Sequence, residues 1–75
     1  MNASGIEKTL TELLINTVDS VSEIDTNIPL SHQGVDSLDL NSFFLEVETH
    51  YKIVIDDNRV AELDTIKKLA IFLSE

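Results

Sequence analysis

Cysteine is absent from the chain, which excludes a disulfide framework and a thiolate metal site. Basic residues are scarce: 5 Lys and Arg stand against 14 Asp and Glu, a formal charge of −9 at neutral pH. Phosphate backbones repel such a surface, so nucleic-acid binding is excluded as a role. No apolar run is long enough to span a bilayer, and Met1-Asn2-Ala3-Ser4-Gly5 lacks the basic and apolar blocks of a signal peptide. With cysteine and targeting signals both missing, the expected location is the cytoplasm. No Asp-x-Asp-x-Asp-Gly loop occurs, which excludes an EF-hand. Asp56-Asp57 reads as a helix cap, and no metal site is expected.

What remains is patterned for helices. Seventy-five residues make one small domain, 1–75, with one core. A short chain without staples is ordered most readily by local contacts. Ser4-Gly5-Ile6-Glu7 has the form of a capping box opening a first helix. Ile6, Leu10, Leu13, Leu14, Val18 and Val21 then recur at three- and four-residue spacing as one apolar stripe. Ile15 points off that stripe, half exposed, and the helix is expected to fade near Ser20. A long connection over 22–35 holds the only proline, Pro29, together with Gly34, and its expected pins are Ile24, Ile28 and Leu30.

A second helix over 37–51 gathers Leu40, Phe43, Phe44, Val47 and Tyr51 on one arc, with Asp39, Ser42, Glu46 and His50 opposite. Ile53-Val54-Ile55 has no second strand to pair with and reads as an extended linker. Asp56 or Asp57 is expected to cap a short third helix running to Glu62, and Asp64 to cap the last. There Ile66, Leu69, Ala70 and Leu73 face inward, Phe72 lies beside them, and Lys67 and Lys68 lie outside. The expected fold class is all-α: a small four-helix bundle, three main helices plus one short helix, with a long loop between helices 1 and 2.

The most informative segment is Asp36-Ser37-Leu38-Asp39, at the start of the second helix. Asp36 is a good N-cap, and Asp39 falls where a capping-box acid belongs. Ser37 then occupies the first turn, at the positive end of the helix dipole, where unpaired N–H groups favour an attached anion. Leu38 and Leu45 belong to neither arc of this helix. They sit on the flank nearest Ser37, bordered by Asn41 and Glu48, as an apolar docking patch. No Lys or Arg occurs between Lys8 and Lys52, while acids flank Ser37, so the region would steer basic partner surfaces.

The run Gly34-Val35-Asp36-Ser37-Leu38-Asp39 resembles the attachment site of acyl carrier proteins, where Gly-x-Asp-Ser-Leu marks the serine that receives 4′-phosphopantetheine. The resemblance extends to Tyr51 closing the second helix, the Ile53-x-Ile55-x-Asp57 link and Thr65-Ile66 opening the last helix. It implies a carrier and not an enzyme. Ser37 would hold the phosphopantetheine covalently, with Asp36 and Leu38 flanking it, and its thiol would carry acyl or aminoacyl groups as thioesters between partner enzymes. The family's docking positions match Leu38, Asn41, Ser42, Leu45 and Glu48, and Asp39 adds steering charge beside them. Implied partners are a phosphopantetheinyl transferase, an acyl- or aminoacyl-loading ligase and downstream acyl-transferring enzymes, with no nucleic acid and no membrane; the chain would act as a monomer. The start at Met1 and the short tails lead to the expectation of a freestanding protein, although a domain excised from a polyketide or nonribosomal peptide synthase would look similar.

The chain also departs from the family's fatty-acid carriers. Ser42 stands where an acid is usual, Asn41 replaces an aliphatic residue, and Phe43 and Phe44 replace smaller aliphatics. The acidic run Glu46-Val47-Glu48-Thr49-His50 is interrupted by neutral groups. These departures point to a dedicated secondary-metabolite or lipid pathway and away from housekeeping fatty-acid synthesis. They also point to short or polar cargo left largely exposed, because bulky aromatics occupy space an acyl chain would need. Two other readings compete. An esterase would need the second glycine of a nucleophile elbow, which is missing, and the only candidate bases are His32 and His50. A non-carrier helical interaction module, binding a partner helix through Leu38 and Leu45, is the other.

Overall fold

The computed structural model describes residues 3–18 and 21–74. Four-residue spacing puts Ile6, Leu10 and Leu14 on one side of α1 (Ala3–Thr17) and extends the stripe to Val18, and all four are buried. Ile15, off the stripe, is half-buried. Thr9, Thr11 and Thr17 are weak helix formers, but each hydroxyl donates to the carbonyl four residues earlier, at 3.2, 2.8 and 2.7 Å. Ser4 is inside α1 and so cannot be its N-cap, which needs a non-helical backbone. The helix ends at Thr17, with the Val18 N–H still donating to the Leu14 carbonyl at 2.8 Å. The expected fade point, Ser20, lies outside the described residues.

A 3₁₀ turn (Leu30–Gln33) follows the long loop, then α2 (Ser37–Tyr51), α3 (Asp57–Val60) and α4 (Ile66–Ser74). No strand occurs among the described residues; 53–56 is a linker without regular secondary structure, with Ile55 buried and Val54 out in solvent. The all-α bundle of three main helices and one short helix is therefore observed. α1 packs chiefly on α4 and also on α2, and the core joins its stripe to Phe43, Phe44 and Val47 of α2 and to Ile66, Leu69 and Ala70 of α4. Truncating one such leucine costs about 2–5 kcal/mol, against a total of roughly 4–11 kcal/mol for a chain of this length. Each stripe residue therefore carries a large share of the fold. No helix among the described residues is long and apolar enough to cross a membrane.

The long loop is held differently from the expectation. Leu30 is buried and Ile24 half-buried, but Ile28 is 41% exposed and pins nothing. The Gln33 amide holds the loop instead: its Oε1 accepts from the Asp25 N–H at 2.8 Å, and its Nε2 donates to the Asp25 and Ile28 carbonyls at 2.9 and 2.8 Å. The loop also ties into the start of α4, where the Lys67 N–H donates to the Thr26 carbonyl at 2.9 Å. That bond satisfies one of the donors a helix start leaves unpaired.

Two caps differ from the sequence reading. Thr65, not Asp64, caps α4: its Oγ1 accepts from the Lys68 N–H at 3.0 Å, and its side chain is buried. Asp64 stands one residue too early and pairs with Lys68 Nζ at 3.0 Å. Asp56 occupies the cap position of α3 without a side-chain bond, and the helix stops at Val60, short of Glu62, because Leu63 turns into the core.

Candidate functional site

The approach to α2 is fixed by two adjacent residues with opposite needs. Gly34 adopts φ 86° and ψ 12°, a left-handed conformation open to glycine without strain, and its N–H donates to the Leu30 carbonyl. Val35 is then buried, which anchors the chain immediately before the helix. Asp36 has an extended backbone and its Oδ1 accepts from the Asp39 N–H at 2.8 Å, while its carbonyl accepts the Leu40 N–H at 2.9 Å. Asp36 is thus the N-cap expected from the sequence. Only half of the capping box forms, since among the described residues the Asp39 carboxylate makes no return bond to the Asp36 N–H.

Ser37 is the first helical residue and is exposed. Its hydroxyl has no protein partner among the described residues, and neither has the N–H of Ser37 or Leu38. Such groups, at the positive end of a fifteen-residue helix, favour an anion held on the serine oxygen. His32 and His50 are exposed and make no bond to Ser37; the His50 ring stands edge-on to Tyr51, centroids 4.8 Å apart. Among the described residues no basic side chain is hydrogen-bonded to the hydroxyl.

Below Ser37, the spacing of Leu38, Asn41, Ser42 and Leu45 keeps all four on one side of α2, and all four are exposed. Leu38 is 78% exposed and Leu45 56%, large values for leucines on a helix that buries Phe43 and Val47 completely. Asp39 and Glu48 are half-buried. Glu48 is partly committed inward: its Oε2 accepts from the Ile55 N–H at 2.8 Å and ties the linker to α2.

That tie shapes a groove of about 330 Å³ running along α2 from Ser37. Leu40, Phe44 and Leu45 line it from α2, Ile55 and Val60 from the linker and α3, and its polar groups are Asn41, Glu48 and Asp57. The α2 side of this site is legible in the sequence, but its far wall is not. Ile55, Asp57 and Val60 reach it only because Lys52 ends α2 in a left-handed conformation (φ 56°, ψ 49°) and turns the chain back. A positive φ at a lysine leaves no mark in the sequence.

A family model described as the phosphopantetheine attachment site matches residues 8–73 of the chain. No curated protein and no solved structure matches it. The residues present fit the group that this family holds. A phosphate on an α2 first-turn oxygen would meet unpaired N–H groups, and a groove with apolar and polar stretches starts at the same serine. On the extent of that match, and with a fold of the same helical type around an exposed serine, the chain belongs to the phosphopantetheine attachment site family, that of the acyl carrier proteins, whose members bear 4′-phosphopantetheine covalently and work with phosphopantetheinyl transferases and biosynthetic enzymes.

Proposed function

We propose that Ser37 is the attachment point and that the chain is a single carrier domain, 1–75, acting as a cytoplasmic monomer. One observation carries this reading: Ser37 is the exposed first residue of a capped helix, and among the described residues its hydroxyl, its N–H and the Leu38 N–H have no partner. Attachment joins Ser37 Oγ to the β-phosphorus of coenzyme A, releases adenosine 3′,5′-bisphosphate, and sends the hydroxyl proton to a base on the transferase. The carrier supplies no base in this scheme, in keeping with a hydroxyl that has no hydrogen-bond partner among the described residues. When bound, phosphopantetheine supplies a thiol on which acyl or aminoacyl groups travel as thioesters. Asp36 keeps the first turn in place, and Leu38, Asn41, Ser42 and Leu45, with the charges of Asp39 and Glu48, receive the transferase, the loading ligase and the downstream acyl-transferring enzymes.

The cargo is short or polar, and the pathway is a dedicated secondary-metabolite or lipid route. Phe43 and Phe44 support this, being 0% and 4% exposed with rings in edge contact at 5.7 Å. They fill the interior beside α2, and a close-packed interior resists inserted methylenes. The interaction-module reading shares the exposed Leu38 and Leu45 but gives the groove at Ser37 no use. Intact-mass measurement of the protein from its native host separates the two. The expected result is one arm's mass plus a small cargo; protein of unmodified mass in every growth condition would favour the module, and an arm bearing a long alkyl chain would refute the cargo assignment.

A further inference from the structure

The groove beside Ser37 has one sign of charge. Apart from Ser37 itself, its polar lining is one amide, Asn41, and two carboxylates, Glu48 and Asp57, and among the described residues no Lys or Arg lines it. Glu48 stands on the same helix about three turns beyond Ser37, roughly 16 Å at 1.5 Å per residue. That distance suits the far end of an extended arm laid along α2. The carboxylate is also fixed, because the Ile55 N–H holds Oε2 at 2.8 Å, while Oε1 has no partner among the described residues.

We propose that the groove selects cargo carrying a positively charged amine: an aminoacyl group whose ammonium lies near Glu48 and Asp57 and whose carbons rest on Phe44 and Ile55. This rests on the reading of Ser37 as the attachment point. Three cargo classes fare differently here. An ammonium donates charge-assisted hydrogen bonds to an acceptor already held in position. A plain alkyl group of the same size covers the carboxylates without pairing them, which disfavours it. The half-thioester of a dicarboxylic acid brings a third negative charge beside two others, and like charges repel. Because the groove is open to solvent the preference is moderate and sensitive to salt. The same feature agrees with cargo kept outside the core, since Phe44 closes the interior beneath it.

The test uses the full ¹⁵N-labelled chain and three arms with glycyl, propionyl or malonyl groups joined through a stable amide in place of the thioester. Glycyl and propionyl differ chiefly in ammonium against methyl. Intact mass first verifies attachment, and its loss in Ser37→Ala places it. The glycyl arm is expected to shift the amide signals of Asn41, Ile55 and Asp57 beyond what the propionyl and malonyl arms do. Its amine should titrate about 0.5 unit higher than on the free arm, and both effects should shrink in Glu48→Gln, which retains an oxygen for the Ile55 N–H, and in high salt. Identical maps for glycyl and propionyl, or an amine titrating as on the free arm, overturn the proposal while leaving Ser37 intact. An arm that fails to attach, or attaches to Ser37→Ala, overturns the Ser37 reading and this proposal with it.

Discussion

Replacing Asp36 with alanine isolates the device that presents Ser37. The substitution removes the 2.8 Å bond from the Asp39 N–H and the negative charge at the α2 N-terminus. Loss of the cap costs about 1 kcal/mol, and loss of an anion at an exposed helix start about 0.5 kcal/mol more. The sum, about 1.5 kcal/mol, should lower Tm by roughly 6–12 °C in a domain of this size. Asp36→Asn keeps an acceptor and loses only the charge, so it should lose about a third as much. Thermal melts followed by circular dichroism at low salt read both values, and arm attachment timed by intact mass reads the functional side. Attachment should slow more in the alanine variant, whose first turn frays, than in the asparagine one. An alanine variant melting within 2 °C of the parent, or an asparagine variant equally damaged, would refute the view that the Asp36 bond orders the site.

Other expected outcomes follow from single features. Lys52→Gly relieves a left-handed lysine (φ 56°) and should stabilise the fold by about 0.5 kcal/mol, read as a higher urea midpoint with unchanged slope. Phe43→Ala should cost about 4 kcal/mol and exceed Phe44→Ala, because Phe43 is fully enclosed while Phe44 borders the groove, where water can occupy the space left; the reverse order in urea titrations would contradict this packing. Asp39→Lys should slow association with the transferase more than Glu12→Lys on α1 does, chiefly through the association rate constant and less so as salt rises. Equal slowing by stopped-flow would reduce the acidic face to a solubility feature.

The sequence carries α2 almost completely, because its signals are local. Asp36 caps it, the Leu40-Phe43-Phe44-Val47 arc buries it, and Leu38 and Leu45 fall outside that arc and stay in solvent. Where two local signals compete, only tertiary contacts decide. Asp64 and Thr65 are both good caps in tandem, and burial of Thr65 settles the choice. Ser4 carries a good capping pattern yet lies inside a helix that starts earlier. The Gln33 amide bridges to Asp25 across the loop, a contact with no periodicity to betray it, and so the loop is held by hydrogen bonds where apolar pins such as Ile28 were the natural expectation. The groove is tertiary in the same sense, since its far wall depends on how Lys52 turns the chain and on the Glu48 tie to Ile55.

The central claim is that the arm sits on Ser37. Incubate the full chain with coenzyme A and a phosphopantetheinyl transferase, digest it, and locate the added mass by fragmentation of the peptide spanning Gly34 to Asp39. One arm per chain on Ser37, and none on a Ser37→Ala variant of unchanged helicity, is the predicted result. An arm found on Ser42 or any other hydroxyl, or retained by the alanine variant, would contradict the account.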